Sequence, residues 1–172
     1  MLSAARQSDN TFDFALVSLL GLLGLRIFEA SGANIDDLGE EHGHRVLRVR
    51  GKGGKVVVVP LPPAISRAVD RAADARATGL LLLNRRGVRM DRHAGTRPLR
   101  HLAAVAGVRL PRMHPHMLRH TFVISMPAST CGMCRSPRGN ADPRTTMRND
   151  RARKNLDRHA NYSLAAYMAS GT

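Results

Sequence analysis

The sequence predicts a mainly helical α+β domain that carries a small antiparallel β-sheet. An apolar run from Phe14 to Leu25 has no polar face and is therefore expected to be a buried helix. The β-branched runs over residues 45–50 and 55–59 flank a glycine-rich tip, which is typical of a β-hairpin. The remaining helical segments are separated by glycine and proline.

In the first part of the chain, residues 1–11 are predicted to be a disordered tail, and a helix is predicted over residues 12–24. This helix should be capped by one of the polar residues at its start, Asp9, Asn10 or Thr11. A short helix is expected after Arg26, ending near Gly32, and a turn over residues 34–38 should lead into the sheet.

After the hairpin, Pro62 and Pro63 are expected to open a helix over residues 64–77 that stops at Gly79. Residues 80–83 are predicted to be a third, edge strand. Three more helices are predicted, over residues 92–106, from about His116, and over residues 150–169.

Net charge is unevenly distributed along this 172-residue chain, whose length suits one domain with a sizeable core. Residues 1–44 hold two arginines against seven acidic residues, whereas residues 45–172 hold 25 basic against six acidic residues. Such an excess indicates a polyanionic partner, since neutralising phosphates releases counterions. The alternative is an arginine-rich composition that reflects GC-rich coding, because 24 of the 27 basic residues are arginine.

The sequence predicts a cytoplasmic location without membrane contact, because the apolar run lacks a preceding basic segment and is too short to span a bilayer. Cys131 and Cys134 would not staple a domain of this size in a reducing compartment. Half of a zinc site or a redox motif would also fit their spacing, but no second ligand pair is evident, so no metal is expected.

The segment from His114 to Phe122 is the most informative in the chain. His116 and Arg119 are three residues apart, which would place them on one helix face. An imidazole that handles protons and a planar fork of donors together suit a phosphate. The alternative is a basic helix start with a partly buried histidine. His120 is interpreted as a structural, hydrogen-bonding residue.

Two earlier segments add to this motif. Residues 19–30 place Arg26 at the end of an apolar run, and residues 46–61 form the predicted hairpin with lysines at its tip. In this order, the three segments resemble the catalytic domain of the tyrosine recombinases, the phage-type integrase family, from about residue 12 to the C-terminus. The resemblance implies DNA integration and recombination, double-stranded DNA as partner, and no metal or other cofactor.

The resemblance also implies a catalytic set. Arg26 and Arg119 match the arginines that hold the scissile phosphate, His116 matches the family's first histidine, and Lys52 matches the lysine that protonates the leaving 5′-oxygen. Lysine suits that role better than arginine, which is almost never deprotonated.

The resemblance also implies roles for two further residues. Lys55 joins the lysine and the two arginines as a DNA-binding residue, and Glu29 is the expected orienting partner of Arg26. Two alternatives stay open, since residues 51–55 would also suit an ordinary exposed turn and Arg26 would also suit a helix C-terminal cap.

The chain departs from the family pattern near its C-terminus. Asn140 stands at the position of a further histidine and Asn149 at that of the tyrosine nucleophile. An amide is not a usable nucleophile at phosphorus, so impaired strand cleavage is expected. Tyr162 and Tyr167 lie later in the chain and would need a rearranged tail to replace it.

Residues 127–139 lack the helical periodicity expected there, and our hypothesis is that two compensating frameshifts scrambled them. The predicted organisation is therefore a recombinase catalytic-type domain over residues 12–172, without the family's N-terminal core-binding domain. Alternatives to a DNA-binding recombinase domain are a non-catalytic protein that modulates an intact recombinase, as a homo- or hetero-oligomer on DNA, and a non-functional remnant.

Overall fold

The computed structural model describes residues 1–51, 53–109 and 113–125. Its helices are α1 (Leu2–Arg6), α2 (Thr11–Gly21), α3 (Ile27–Gly32), α4 (Pro63–Ala73), α5 (Arg92–Val105) and α6 (Pro115–Ser125). Its strands are β1 (Leu38–Glu41), β2 (His44–Arg50) and β3 (Val56–Pro60), and a 3₁₀ turn over Ile35–Asp37 precedes β1. The prediction of a mainly helical α+β fold with a small antiparallel sheet is confirmed.

Helix α2 is the centre of the core, as its apolar sequence predicts. Leu16, Leu19 and Leu20 are fully buried, and α1, α4, α5 and α6 all pack against this helix. Of the three candidate caps, Asn10 is the one used, since its side-chain oxygen accepts a hydrogen bond from the Phe12 backbone N–H at 3.1 Å. Helix α2 is therefore covered from several sides by the other helices.

The prediction that residues 1–11 form a disordered tail is wrong, because Leu2–Arg6 form helix α1. Ala5 is buried in the core, and the Arg71 guanidinium of α4 donates a hydrogen bond to the Arg6 carbonyl oxygen at 3.1 Å. Met1, Leu2 and Ala4 also pack against the core, so apolar contacts and one long-range hydrogen bond order a segment whose polar composition indicated disorder.

The three strands form one antiparallel sheet in the order β1-β2-β3. In the predicted hairpin, Arg48 of β2 is paired with Val58 of β3. Gly53 and Gly54 at its tip have φ of 82° and 74°, a left-handed conformation that costs glycine little. The hairpin prediction is confirmed.

The predicted third strand is wrong. Residues 80–83 make only isolated bridges, whereas Leu38–Glu41 form the third strand of the sheet. Leu81 and Leu82 are adjacent and both fully buried, so this segment lacks the alternation of a sheet edge. The sequence of β1 has low β-propensity, and its pairing depends on the positive-φ turn at His42 and Gly43, as two-residue hairpins require.

The observed bounds of α4, α5 and α6 can be compared with the predicted ones. Helix α4 ends at Ala73 rather than near residue 77, because the backbone leaves the helical conformation at Asp74, where φ is 52°. The Arg76 guanidinium donates to the Ala72 carbonyl oxygen at 2.5 Å and so satisfies a carbonyl of the last turn. Helix α5 agrees with its prediction to within one residue, and α6 begins at Pro115. In the described ranges, none of the helices combines the length and hydrophobicity needed to cross a bilayer.

Candidate functional site

Arg26 lies in the turn between α2 and α3, where it is the N-terminal cap of α3. Its backbone N–H donates to Glu29 Oε2 at 2.8 Å, and its Nη1 donates to Glu29 Oε1 at 2.9 Å. The structure therefore brings together Arg26 and its predicted orienting partner. The Arg26 side chain is 27% exposed and that of Glu29 is 6% exposed, so the arginine is the more accessible member of the pair.

Arg119 reaches the same carboxylate from α6. Its Nη1 donates a hydrogen bond to the Gly24 carbonyl oxygen and lies 4.0 Å from Glu29 Oε2. Gly24 has a φ of 62° in the turn that precedes Arg26, and this left-handed conformation favours glycine at that position. Arg119 is 2% exposed, and its guanidinium joins α6 to the turn between α2 and α3.

His116 lies in the first turn of α6, and its side chain is exposed. The predicted shared face of His116 and Arg119 is correct only in part, because His116 is exposed whereas Arg119 extends inward to the Gly24 carbonyl oxygen. Desolvation lowers the pKa of His116, and the positive charges of His120, Arg119, His114 and Arg26 lower it further. We refer to Arg26, Glu29, His116 and Arg119 as the arginine–histidine cluster.

Two histidines beside this cluster have a placement that the sequence did not predict. The His120 ring lies 4.3 Å from the His116 ring, centroid to centroid, with the ring planes at 81°. The His114 ring is stacked with the His116 ring at a centroid distance of 6.4 Å. The interval of four residues between His116 and His120 was the available signal, since residues at that spacing are neighbours on a helix surface.

The two lysines of the hairpin tip are only partly described. Lys55 is exposed, and its carbonyl oxygen accepts a hydrogen bond from the Gly51 N–H at 2.8 Å. Within the described part of the chain, no hydrogen bond or ion pair links its side chain to the arginine–histidine cluster. Lys52 lies outside the described residues.

The C-terminal predictions also fall outside the described residues. They concern the positions of Asn140 and Asn149, the scrambled segment 127–139, the helix over 150–169, and the pairs Cys131 with Cys134 and Tyr162 with Tyr167. Among the residues that the structure does describe, no group of three or more His, Cys, Asp or Glu side chains has an arrangement that would hold a metal ion.

A groove of about 600 Å³ lies between the start of α2 and helix α5, and its lining includes no residue of the arginine–histidine cluster. Asp13 lies at this groove and is 4% exposed. It accepts hydrogen bonds from Ser8 Oγ at 2.8 Å and from Asn10 Nδ2 at 3.2 Å. Burial raises the pKa of Asp13, and the Ser8 hydrogen bond and the charges of His101 and Arg85 oppose that rise.

Comparison with known proteins agrees with the fold described here. The phage integrase family model matches residues 1–131. The chain belongs to the phage integrase family. It is 39% identical over 119 residues to the tyrosine recombinase XerC of Pelobacter propionicus, a match that covers 66% of this chain and 38% of that protein. The chain thus spans well under half the length of this curated relative.

Solved structures show the same fold. The crystal structure of XerA recombinase matches with a TM-score of 0.62 and 25% identity, covering 98% of this chain and 60% of that one. The XerH site-specific recombinase, bound to difH substrate in a pre-cleavage complex, matches with a TM-score of 0.58 and 22% identity over 70% of this chain and 38% of that one. This chain, a member of the phage integrase family, therefore has the fold of recombinase catalytic domains.

Proposed function

We propose that this chain binds double-stranded DNA through the arginine–histidine cluster, as a recombinase-type catalytic domain in which strand cleavage is impaired. One observation carries the proposal: Arg26 and Arg119 approach a single carboxylate, that of Glu29. Within the described residues, both guanidinium groups meet at the Glu29 carboxylate, so positive charge is concentrated at the cluster. A phosphate diester carries one negative charge and would accept hydrogen bonds from a guanidinium.

The two arginines would have different roles, because their burial differs. Arg119 is buried and already donates to the Gly24 carbonyl oxygen. It would therefore orient the cluster and contribute positive charge from the protein interior. Arg26 is partly exposed, and a guanidinium has five N–H donors, of which Glu29 takes one from Nη1. The remaining donors of Arg26, and the exposed ring of His116, would contact the phosphate.

The wider charge distribution supports a polyanionic partner. The chain carries a formal net charge of +14, and the structural neighbour XerH was solved bound to its difH substrate. Lys52 and Lys55 belong to this proposal as the lysines of the hairpin tip, with Lys52 as the proton donor to the leaving oxygen. Positive charge around the phosphate would also stabilise the transition state of strand cleavage.

Binding without efficient cleavage follows from the nucleophile position. A covalent intermediate needs a hydroxyl there, and Asn149 offers only an amide. A second candidate function rests on the same residue: a chain that binds recombination sites without cutting them would modulate an intact recombinase. Excess of this chain would then inhibit strand exchange by an intact relative, whereas it would leave that reaction unchanged if the two do not share sites or assemble.

The test of DNA binding is the salt dependence of affinity for duplex DNA, measured by fluorescence anisotropy. Each neutralised phosphate contributes about 0.9 to the slope of log K against log salt. Arg26→Ala should therefore reduce the slope by about one contact and weaken binding to unrelated duplexes equally. Arg45→Ala, which removes an exposed guanidinium paired with Asp70, is the matched control and should leave the slope unchanged. Equal slopes for Arg26→Ala and the unmodified protein would refute the proposed contact.

A further inference from the structure

The His116 and His120 rings form a contact that the function proposed above does not require. Their centroids are 4.3 Å apart and their planes are almost perpendicular, so the edge of one imidazole faces the other ring. Both residues are exposed on α6, so the contact is not a consequence of core packing. At this separation, two protonated rings would repel each other directly.

We propose that His120 is a positioning residue for His116: the perpendicular contact fixes the orientation of the His116 ring and places a second imidazole where a positive charge would oppose protonation of His116. Positive charges on both rings would lie one helical turn apart, which is unfavourable. The contact therefore favours the neutral form of the His116 ring, which is the form able to accept a proton.

The surroundings of the pair reinforce this behaviour. The charges that act on His116 come from His120 and Arg119 on α6, from His114 just before α6, and from Arg26 at the start of α3, and all of them are positive. The Glu29 carboxylate is the acidic group of the cluster, and Arg26 binds both of its oxygens. It is therefore poorly placed to neutralise a second imidazolium.

In the described part of the chain, α2 and α5 pack against α6, and neither brings a carboxylate to the pair. Helix α2 contains one ionisable residue, Asp13, which is bound by Ser8 and Asn10 at the separate groove. On helix α5, the side chains His93, Arg97 and His101 line that same groove, and Arg100 is exposed. These α5 groups are cationic or neutral.

One consequence rests on the proposed function. A DNA phosphate at the arginine–histidine cluster would add a negative charge beside His116 and favour its protonated form. DNA binding would then take up a proton below neutral pH, and affinity for duplex DNA would increase as the pH falls through the titration of His116.

The experiment is an NMR titration of the histidine Cε1–H signals in the full chain without DNA, with the His116 signal assigned from a His116→Gln variant. His120→Gln should raise the pKa of His116 more than His114→Gln does, because the His114 ring lies at 6.4 Å rather than 4.3 Å. His120→Phe, which keeps a ring without a titrating nitrogen, should raise it as well.

The possible results distinguish a failure of the histidine pairing from a failure of the proposed phosphate site. If His120→Gln and His114→Gln leave the pKa of His116 unchanged, or change it equally, the pairing is refuted. Duplex DNA is then added to the unmodified chain, where an upward shift in the pKa of His116 is expected. A response to His120→Gln without a response to DNA would support the pair and refute the phosphate site.

Discussion

Glu29 binds Arg26 twice, accepting from its backbone N–H at 2.8 Å and from its guanidinium Nη1 at 2.9 Å. One carboxylate thus caps the first turn of α3 and fixes the direction of the arginine side chain. The backbone contact stabilises the helix start, and the side-chain contact holds the guanidinium where it can bind an anion. The start of α3 and the candidate site consequently depend on the same residue.

Glu29→Ala should lower the free energy of unfolding by about 3 kcal/mol, at the low end of the range for breaking a buried ion pair. The low end applies because Arg26 remains 27% exposed and can be hydrated. Arg119, at 3% side-chain exposure, would lose its nearby carboxylate without gaining water. Urea unfolding monitored by circular dichroism measures the change.

The control for this prediction is Asp70→Ala, which removes the carboxylate of an exposed ion pair. Arg45 and Asp70 are 2.6 Å apart, with side-chain exposures of 45% and 52%, and such pairs contribute about 0–1 kcal/mol. A loss for Glu29→Ala no larger than that for Asp70→Ala would contradict the structural role given to Glu29.

Ser18→Ala should stabilise the protein by about 1 kcal/mol, the cost of a buried hydroxyl without a hydrogen-bond partner. Ser18 is fully buried in α2, and its Oγ has no partner among the described residues. Alanine also has the higher helix propensity. The measurement is the urea midpoint at constant m-value. Destabilisation would instead show that the hydroxyl bonds to a segment beyond the described residues.

The pKa of Asp13 gives a pH-dependent prediction. Because burial raises the folded-state pKa above 3.8, the native state binds the Asp13 proton more tightly than the unfolded state does. The stabilisation from this proton is fully present below pH 3.8 and is lost as the pH rises through the folded pKa. The unmodified protein should therefore lose stability relative to Asp13→Asn as the pH is raised from about 4 to 7.

Unfolding free energies at the two pH values measure this difference, and Asp9→Asn is a suitable control because Asp9 is exposed. Its difference from the unmodified protein should change less between the two pH values. A relative gain of stability by the unmodified protein at pH 7 would mean that hydrogen bonding from Ser8 and Asn10 outweighs burial at Asp13.

The sequence predicted those parts of the fold in which local pattern and tertiary environment agree. The buried α2 has apolar residues on all sides, and the β2–β3 hairpin has β-branched strands and a glycine tip. Strand β1 was missed because Leu-Gly-Glu-Glu has no strand signal of its own and pairs only through the neighbouring hairpin. Helix α1 was missed because its order depends on distant contacts with α2 and α4.

The candidate site was predictable to a similar degree. The contact between Arg26 and Glu29 follows from their spacing of three residues at a helix start. The contact of Arg119 with the Gly24 carbonyl oxygen spans 95 residues of sequence, so spacing alone does not reveal it. The perpendicular His116–His120 contact depends on side-chain torsions that the sequence does not specify, although the interval of four residues makes the two rings neighbours.

Asn149→Tyr is the substitution that tests impaired cleavage most directly. A nicked duplex that loses its short cleaved fragment traps the covalent intermediate, and the protein–DNA adduct is then resolved on a denaturing gel. The unmodified chain should give no adduct because an amide cannot attack phosphorus. The variant should give one if the rest of the active site is assembled, and Asn149→Phe, which restores the ring without the hydroxyl, should not. An adduct from the unmodified chain would contradict the assignment of Asn149 to the nucleophile position and would indicate Tyr162 or Tyr167 as the nucleophile.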